Sequence, residues 1–264
     1  MLSLPKDIAK CFPREDAAAF PSLELYHSVM KQLEDHRAGV EQRIREACRQ
    51  SGRDRGEVRL IAVSKTRSPD EIRALHALGQ RCFAENYVQE FVAKHDALTD
   101  LDPPPEWHFI GTLQTNKARA VAERAAWVHG IDRLKIAERL SRQRPAGMPP
   151  LQVCLQVDLS GEPGKGGVPP QEAGPLAESV AGLPNLVLRG LMAIPAPAAD
   201  PAAQRRPFAR LRELRDTLNA RGIALDTLSM GMSDDLEAAI LEGATLVRIG
   251  TALFGPRGPH ARQP

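Results

Sequence analysis

A (β/α)8 barrel preceded by one long helix is predicted by three features of this 264-residue chain. Eight short segments rich in β-branched and aliphatic residues recur at 58–65, 82–86, 106–111, 126–131, 151–159, 186–194, 227–231 and 246–250. Amphipathic helical stretches separate them, the alternation that builds a parallel sheet. The length suits one barrel of this kind. A doubly wound open sheet fits the same alternation, but no dinucleotide-type glycine fingerprint follows the first strand.

Taken in order, residues 1–22 read as a mobile extension, because Pro5, Pro13 and Pro21 interrupt any helix. A helix is expected over 23–50, where Val29, Leu33, Val40, Ile44 and Ala47 recur at helical spacing with His36 on the same stripe. Ser51-Gly52 supplies its stop. In the first strand Ile61, Val63 and Lys65 share one face. If that face is interior, an ammonium is buried at the end of an apolar row. Desolvation then favours the neutral amine, which can attack a carbonyl carbon. The plainer alternative is that the strand ends there and Lys65 reaches into water.

A helix opens at Pro69 and Asp70, with Ile72, Leu75 and Leu78 on its apolar face. Asn86 ends the second strand, facing the mouth or capping the next helix. His108 lies within the third, as a satisfied interior histidine or a functional one. Met192 is near the end of the sixth. The Pro/Ala-rich run from Ile194 to Pro201 reads as a loop leading to a helix with Phe208, Leu211, Leu214 and Leu218 on one face. Ser229 and Met230 end the seventh strand, and Ser233 is the expected N-cap before Asp234 and Asp235. Arg248 shares a face of the eighth strand with Leu246 and Gly250. The barrel body spans 23–256, and 257–264 form a tail.

Barrels of this type place functional groups at the C-terminal ends of their strands. Lys65, Asn86, His108, Met192, Ser229, Met230 and Arg248 therefore share one address although they are far apart in sequence. The segments after strands seven and eight, 229–233 and 249–252, carry Gly, Ser and Thr. Gly250 and Thr251 suit a phosphate bound by backbone amides and hydroxyls. An inward Arg248 could clamp that phosphate, donate to a ring nitrogen, or form a buried ion pair.

Composition excludes several classes. With 42% apolar and 26% charged residues the chain is an ordinary globular protein, and a net charge of +2 does not indicate a nucleic-acid surface. Cys11, Cys48, Cys82 and Cys154 form no Cys-x-x-Cys pair and read as reduced cytosolic thiols, without metal. Neither a membrane span nor a signal peptide is visible, so a cytoplasmic location is expected.

AVSKT (62–66), ENYVQE (85–90), WHFIGTLQTNK (107–117), LSMGMSDD (228–235) and VRIGTALFG (247–255) together resemble the pyridoxal 5′-phosphate (PLP) homeostasis protein family, itself similar to the barrel domain of alanine racemase. The resemblance runs from the first long helix to Pro256. It implies that PLP is the cofactor. Lys65 matches the Schiff-base lysine, and Arg248 the arginine facing the pyridine nitrogen. Ser229, Gly250 and Thr251 match positions around the phosphate, while Asn86 and His108 fall in pocket-lining motifs. Two features depart from the pattern: Ala84 stands where a glycine is usual, and the extension before Leu23 is long. Lys165 lies in a glycine-rich loop that reads as a flexible turn or as a second landing place for PLP.

An arginine has only donors to offer, so the ring nitrogen it faces stays unprotonated and the ring is a weaker electron sink. In alanine racemases the second base is a tyrosine from an additional β-domain. The expectation here is that this domain is absent, since the only tyrosines are Tyr26 and Tyr87. These points imply a non-enzymatic PLP carrier for intracellular PLP homeostasis, a monomer or weak dimer with PLP-dependent apoenzymes as partners. A PLP-dependent amino-acid racemase is the alternative. A barrel enzyme acting on a phosphorylated metabolite without PLP is the third reading.

Overall fold

The structure is a computed structural model and describes residues 23–160 and 166–256. The expected mobile extension, the tail and Lys165 lie outside the described residues. Helix α1 (Leu23–Gln50) precedes a closed ring of eight strands: β1 (Arg59–Val63), β2 (Cys82–Glu85), β3 (Glu106–Phe109), β4 (Trp127–Ile131), β5 (Leu151–Gln156), β6 (Leu186–Met192), β7 (Thr227–Ser229) and β8 (Leu246–Ile249). All neighbouring strands run parallel, and β8 pairs with β1, with Ile61 opposite Arg248. The helices between and after them are α2 (Pro69–Ala77), α3 (Val88–Ala97), α4 (Ala118–Ala122), α5 (Leu134–Gln143), α6 (Ala173–Ala181), α7 (Pro201–Ala220), α8 (Leu236–Leu241) and α9 (Thr251–Phe254).

Each boundary has a local cause. The 28-residue α1 buries Leu33, Val40, Ile44 and Ala47, and the chain turns away at Gly52, whose φ of +66° suits glycine. The apolar face of α1 packs on α8 and α9 and so covers the seam where the barrel closes. Arg43 fixes this docking, bonding both carboxylate oxygens of Glu237 at 2.6 and 2.8 Å and the Ser233 carbonyl at 2.8 Å. At α2, Ser68 and Glu71 cap each other's backbone N–H groups, with Pro69 in the first turn. At α7 the cap is one-sided: Asp200 Oδ2 accepts the Ala203 N–H at 2.8 Å.

Ser233 does not cap α8, contrary to expectation. Asp235 holds the cap position and its Oδ1 accepts the Met232 N–H at 2.6 Å, which folds the loop back and starts the helix two residues late. The hydroxyl of Ser233 instead accepts the Ala252 N–H at 3.2 Å, tying the β7 loop to α9. Nor does Asn86 cap α3, which begins at Val88 with Tyr87 in the cap position.

Most of the core lies between the strands and the helices. Phe91 of α3 packs edge-on against Trp107 and Phe109 of β3, with centroids 5.9 Å away in both cases. The apolar interior of the barrel is small: Ile61, Cys82, Ala84, Trp127, Cys154, Met192 and Leu246. Ala84 is fully buried in this cluster, so its methyl fits where the family pattern has glycine. The rest of the interior is polar.

Gly231, just after β7, has φ +94°, and a Cβ there would stand 2.6 Å from the Cβ of Ala239. Gly231→Ala combines a left-handed backbone with a clash that a packed helix cannot yield to. It is expected to lower stability by about 1–3 kcal/mol, read as an earlier midpoint in urea.

Candidate functional site

Lys65, Asn86, Arg248, Gly250 and Thr251 line one pocket of about 210 Å3 at the C-terminal mouth of the barrel. The alternation that starts at Ile61 carries through: Ile61 is in the interior cluster, and Val63 and Lys65 line the pocket. The last β1 ladder residue is Val63, so half-buried Lys65 stands just past the strand rather than within it. Arg248 lies level with Ile61, one inward position below Gly250, and forms the floor.

The bend that presents Lys65 is held from behind. Thr66 has φ +64°, a left-handed conformation unusual for a β-branched residue. Its N–H donates to Glu90 Oε2 at 2.8 Å. Lys94 Nζ donates to the same Glu90 oxygen at 2.8 Å, to Glu85 Oε1 at 2.8 Å and to the Ser64 carbonyl at 2.7 Å. Ser64 Oγ donates to Glu85 Oε1 at 2.6 Å. These partners over-determine a conformation that by itself costs about 1–3 kcal/mol. Burial pushes the Glu85 carboxyl above its ordinary range, against the attraction of Lys94. Among the described residues buried without a hydrogen-bond partner are Asn86 Oδ1, on the pocket wall, and Thr66 Oγ1 and Glu85 Oε2 behind the bend. Buried polar atoms are normally satisfied, so an orphan on a pocket wall marks a place for a ligand group.

Arg248 is 3% exposed and donates to Ser229 Oγ at 2.7 Å and to the Ala193 carbonyl at 3.0 Å. Burial lowers its guanidinium to about 10, which leaves it charged at neutral pH. Among the described residues Arg248 forms no salt bridge; Asp235 is the carboxylate whose charge acts on it. Gly250 and Thr251 sit at the start of α9, where the Ala252 N–H goes to Ser233 Oγ and those of Leu253 and Phe254 go to the Gly250 carbonyl.

The family model "Alanine racemase, N-terminal domain" matches residues 37–258. A pyridoxal phosphate homeostasis protein of Pseudomonas aeruginosa is 60% identical over 228 residues, covering 86% of this chain and 97% of the relative. The chain belongs to the pyridoxal phosphate homeostasis protein family. Among solved structures, PipY of Synechococcus elongatus with PLP bound superposes with a TM-score of 0.74 at 38% identity, covering 85% of this chain and 100% of PipY. An alanine racemase of Corynebacterium glutamicum is similar in fold, with a TM-score of 0.63 at 17% identity, covering 87% of this chain and 64% of the racemase.

The remaining residues expected in the pocket of this family member lie elsewhere. Met230 faces outward, because side chains alternate and its neighbour Ser229 points in; it joins the outer core. Met192 is inside the barrel, in the apolar cluster beneath the pocket, and does not itself line it. Ser229 is interior, below the pocket, and holds Arg248. His108 is deeper still, bonded to His129 and Glu106 at 2.9 Å each. Pocket residues that sequence reasoning did not assign include Arg67, Ile194, Met232 and Asp234. His129 was legible in principle, since it shares a face with Trp127 on the fourth segment. No described helix is long and apolar enough to cross a membrane.

Glu106 lies at the opposite, N-terminal end of the barrel. Burial alone would raise its carboxyl, but the hydrogen bond from His108 and the charge and hydrogen bond of Arg59 outweigh burial and hold it at about 2, below the ordinary 4.5. A carboxyl depressed in the folded state stabilises above its unfolded value and loses that contribution as pH falls. Stability should therefore decline between about pH 4.5 and 2, by roughly 2 kcal/mol after allowing for solvent screening. Glu106→Gln should flatten that part of the urea-stability profile.

Proposed function

We propose that the pocket holds PLP and that the protein stores and hands on this cofactor instead of turning over amino acids with it. One observation carries the reading: Lys65 and the buried, charged Arg248 meet on one small pocket that also has a helix start beside Gly250 and Thr251. When bound, PLP supplies an electrophilic carbonyl carbon and an electron-withdrawing ring. The amine of Lys65 would take the carbonyl. Backbone amides at Gly250 and Thr251, with the nearby hydroxyl of Ser233, would hold the phosphate. Arg248 would donate to the ring nitrogen and keep it unprotonated, which weakens carbanion stabilisation. Family membership and the PLP-bound PipY support the cofactor assignment. Recipients would be PLP-dependent apoenzymes.

Racemisation is the second reading, favoured by the Asp234 carboxylate on the same pocket as Lys65. A visible absorption spectrum of the purified protein tests PLP binding, and a colourless protein at saturating PLP would rule it out. Single-enantiomer amino acids separate the two readings: conversion above that of free PLP supports the racemase. Arg248→Glu should alter the spectrum by favouring a protonated ring nitrogen. An unchanged spectrum at full occupancy would remove the ring contact.

A further inference from the structure

A chain of hydrogen bonds runs from the pocket floor through the barrel interior to its far end. Arg248 Nη1 is 2.7 Å from Ser229 Oγ, and Ser229 Oγ is 2.7 Å from His129 Nδ1. His129 Nε2 is 2.9 Å from His108 Nδ1, and His108 Nε2 is 2.9 Å from Glu106 Oε1. Glu106 Oε1 also accepts from Arg59 Nη2 at 2.5 Å. The links stand on β8, β7, β4, β3 and β1, so only the closed barrel assembles them.

The two ends set the direction of every bond. A guanidinium can only donate, so Ser229 Oγ accepts from Arg248. A carboxylate can only accept, so neutral His108 must carry its hydrogen on Nε2 and accept at Nδ1. His129 then donates from Nε2 and accepts at Nδ1, and that acceptor receives the Ser229 hydroxyl hydrogen. The opposite direction would aim an imidazole lone pair at the Glu106 carboxylate. Complete burial keeps both rings neutral, and the charges of Arg59 and Arg248 act in the same sense on His129. Side chains facing the rings among the described residues include Trp127, stacked on His108 with centroids 5.7 Å apart, and Cys82 at the base. Cys82, Glu106 and His108 could together ligate a metal, but Arg59 already lies 3.0 Å from Cys82 Sγ and bonds Glu106, where the cation would sit.

We propose that Ser229, His129, His108 and Glu106 are positioning residues that form a one-way hydrogen-bonded chain, anchored at Glu106, which fixes the orientation of Arg248 at the pocket floor. A hydroxyl that donates to His129 is a stronger acceptor for Arg248, because successive hydrogen bonds polarise one another. The chain thereby holds the guanidinium where its remaining donors can meet the ring nitrogen of a heteroaromatic ligand. The identity of that ligand as PLP rests on the reading above; the direction of the chain does not.

The test is a long-range 1H–15N histidine correlation spectrum of the protein without PLP, which reports each tautomer. His108 and His129 should both be neutral with hydrogen on Nε2 at pH 7; hydrogen on Nδ1 of either, or a doubly protonated ring, overturns the chain. Glu106→Gln keeps an oxygen that can accept from His108 and should retain both Nε2 forms, whereas Glu106→Lys offers only donors and should switch both rings to the Nδ1 form. In Glu106→Lys, Ser229 accepts from two donors, and the Arg248 guanidinium N–H signals should broaden. If the tautomers or the Arg248 signals are unchanged in Glu106→Lys, the anchoring role of Glu106 is wrong. With PLP added, the pH midpoint of the visible band in Glu106→Lys should move by about one unit at unchanged occupancy. An unmoved midpoint would separate the chain from the ligand. A wild-type protein that takes up no PLP would refute the cofactor reading, while the tautomers and Arg248 signals still decide the chain.

Discussion

Borohydride reduction of the PLP-loaded protein, followed by peptide mass mapping, is expected to leave a pyridoxyl group on the peptide that carries Lys65. The amine sits half-buried on the pocket wall, beyond the apolar row of Ile61 and Val63. Its bend is pinned through Thr66, Glu90 and Lys94, so the chain before and after it cannot drift. Phosphate contacts at Gly250 and Thr251 would hold the carbonyl beside the amine and turn a bimolecular encounter into a local one. Lys65→Ala should abolish the trapped adduct and weaken PLP binding at least about tenfold, ~1.4 kcal/mol, leaving phosphate-anchored binding. An adduct confined to Lys165 or another lysine, or an unchanged yellow band in Lys65→Ala at equal occupancy, would sink the assignment.

Lys94→Met should produce the largest loss of stability. Glu85 is fully buried, and its Oε1 has Lys94 Nζ at 2.8 Å as its cationic partner. Methionine keeps much of the volume but strands the carboxylate in an apolar layer, at a cost of about 3–5 kcal/mol. The pH dependence follows from the raised Glu85 carboxyl. A carboxyl raised in the folded state binds its proton more tightly there than in the unfolded chain. The variant should then lose stability as pH climbs above the ordinary 4.5 and recover part of it in acid, where Glu85 is protonated. Urea unfolding at pH 5 and pH 8 would read the difference; equal stability of variant and wild type at pH 8 would mean the pair contributes nothing. Since Lys94 also holds Glu90 against Thr66, the same variant should slow adduct formation at Lys65.

Repetition along the chain foretold the barrel, because a strand needs only local alternation and a helix only a local stripe. Boundaries were less legible. Strands one, five and six were expected to reach 65, 159 and 194 but stop at Val63, Gln156 and Met192; one further N–H each, of Ser64, Val157 and Ala193, still bonds the neighbouring strand before the chain leaves the sheet. Ser233 carried a capping signal that Asp235 overrode, a competition between two side chains for one loop that composition does not rank.

The sequence by itself determined the fold class, the shared face of Ile61, Val63 and Lys65, and the shared face of Leu246, Arg248 and Gly250. Those facts depend on a two-residue period and on the order of elements. Only the tertiary structure decided that Met230 faces out, that His108 lies below the pocket, and that Arg248 is bonded to Ser229 and not to a carboxylate. It also brought Glu85, Glu90 and Lys94 behind the Lys65 bend, and joined Glu106, His108, His129, Ser229 and Arg248 into one line. These pairings join residues up to 100 positions apart, and their partners are chosen by strand register around a closed ring, which no local pattern encodes.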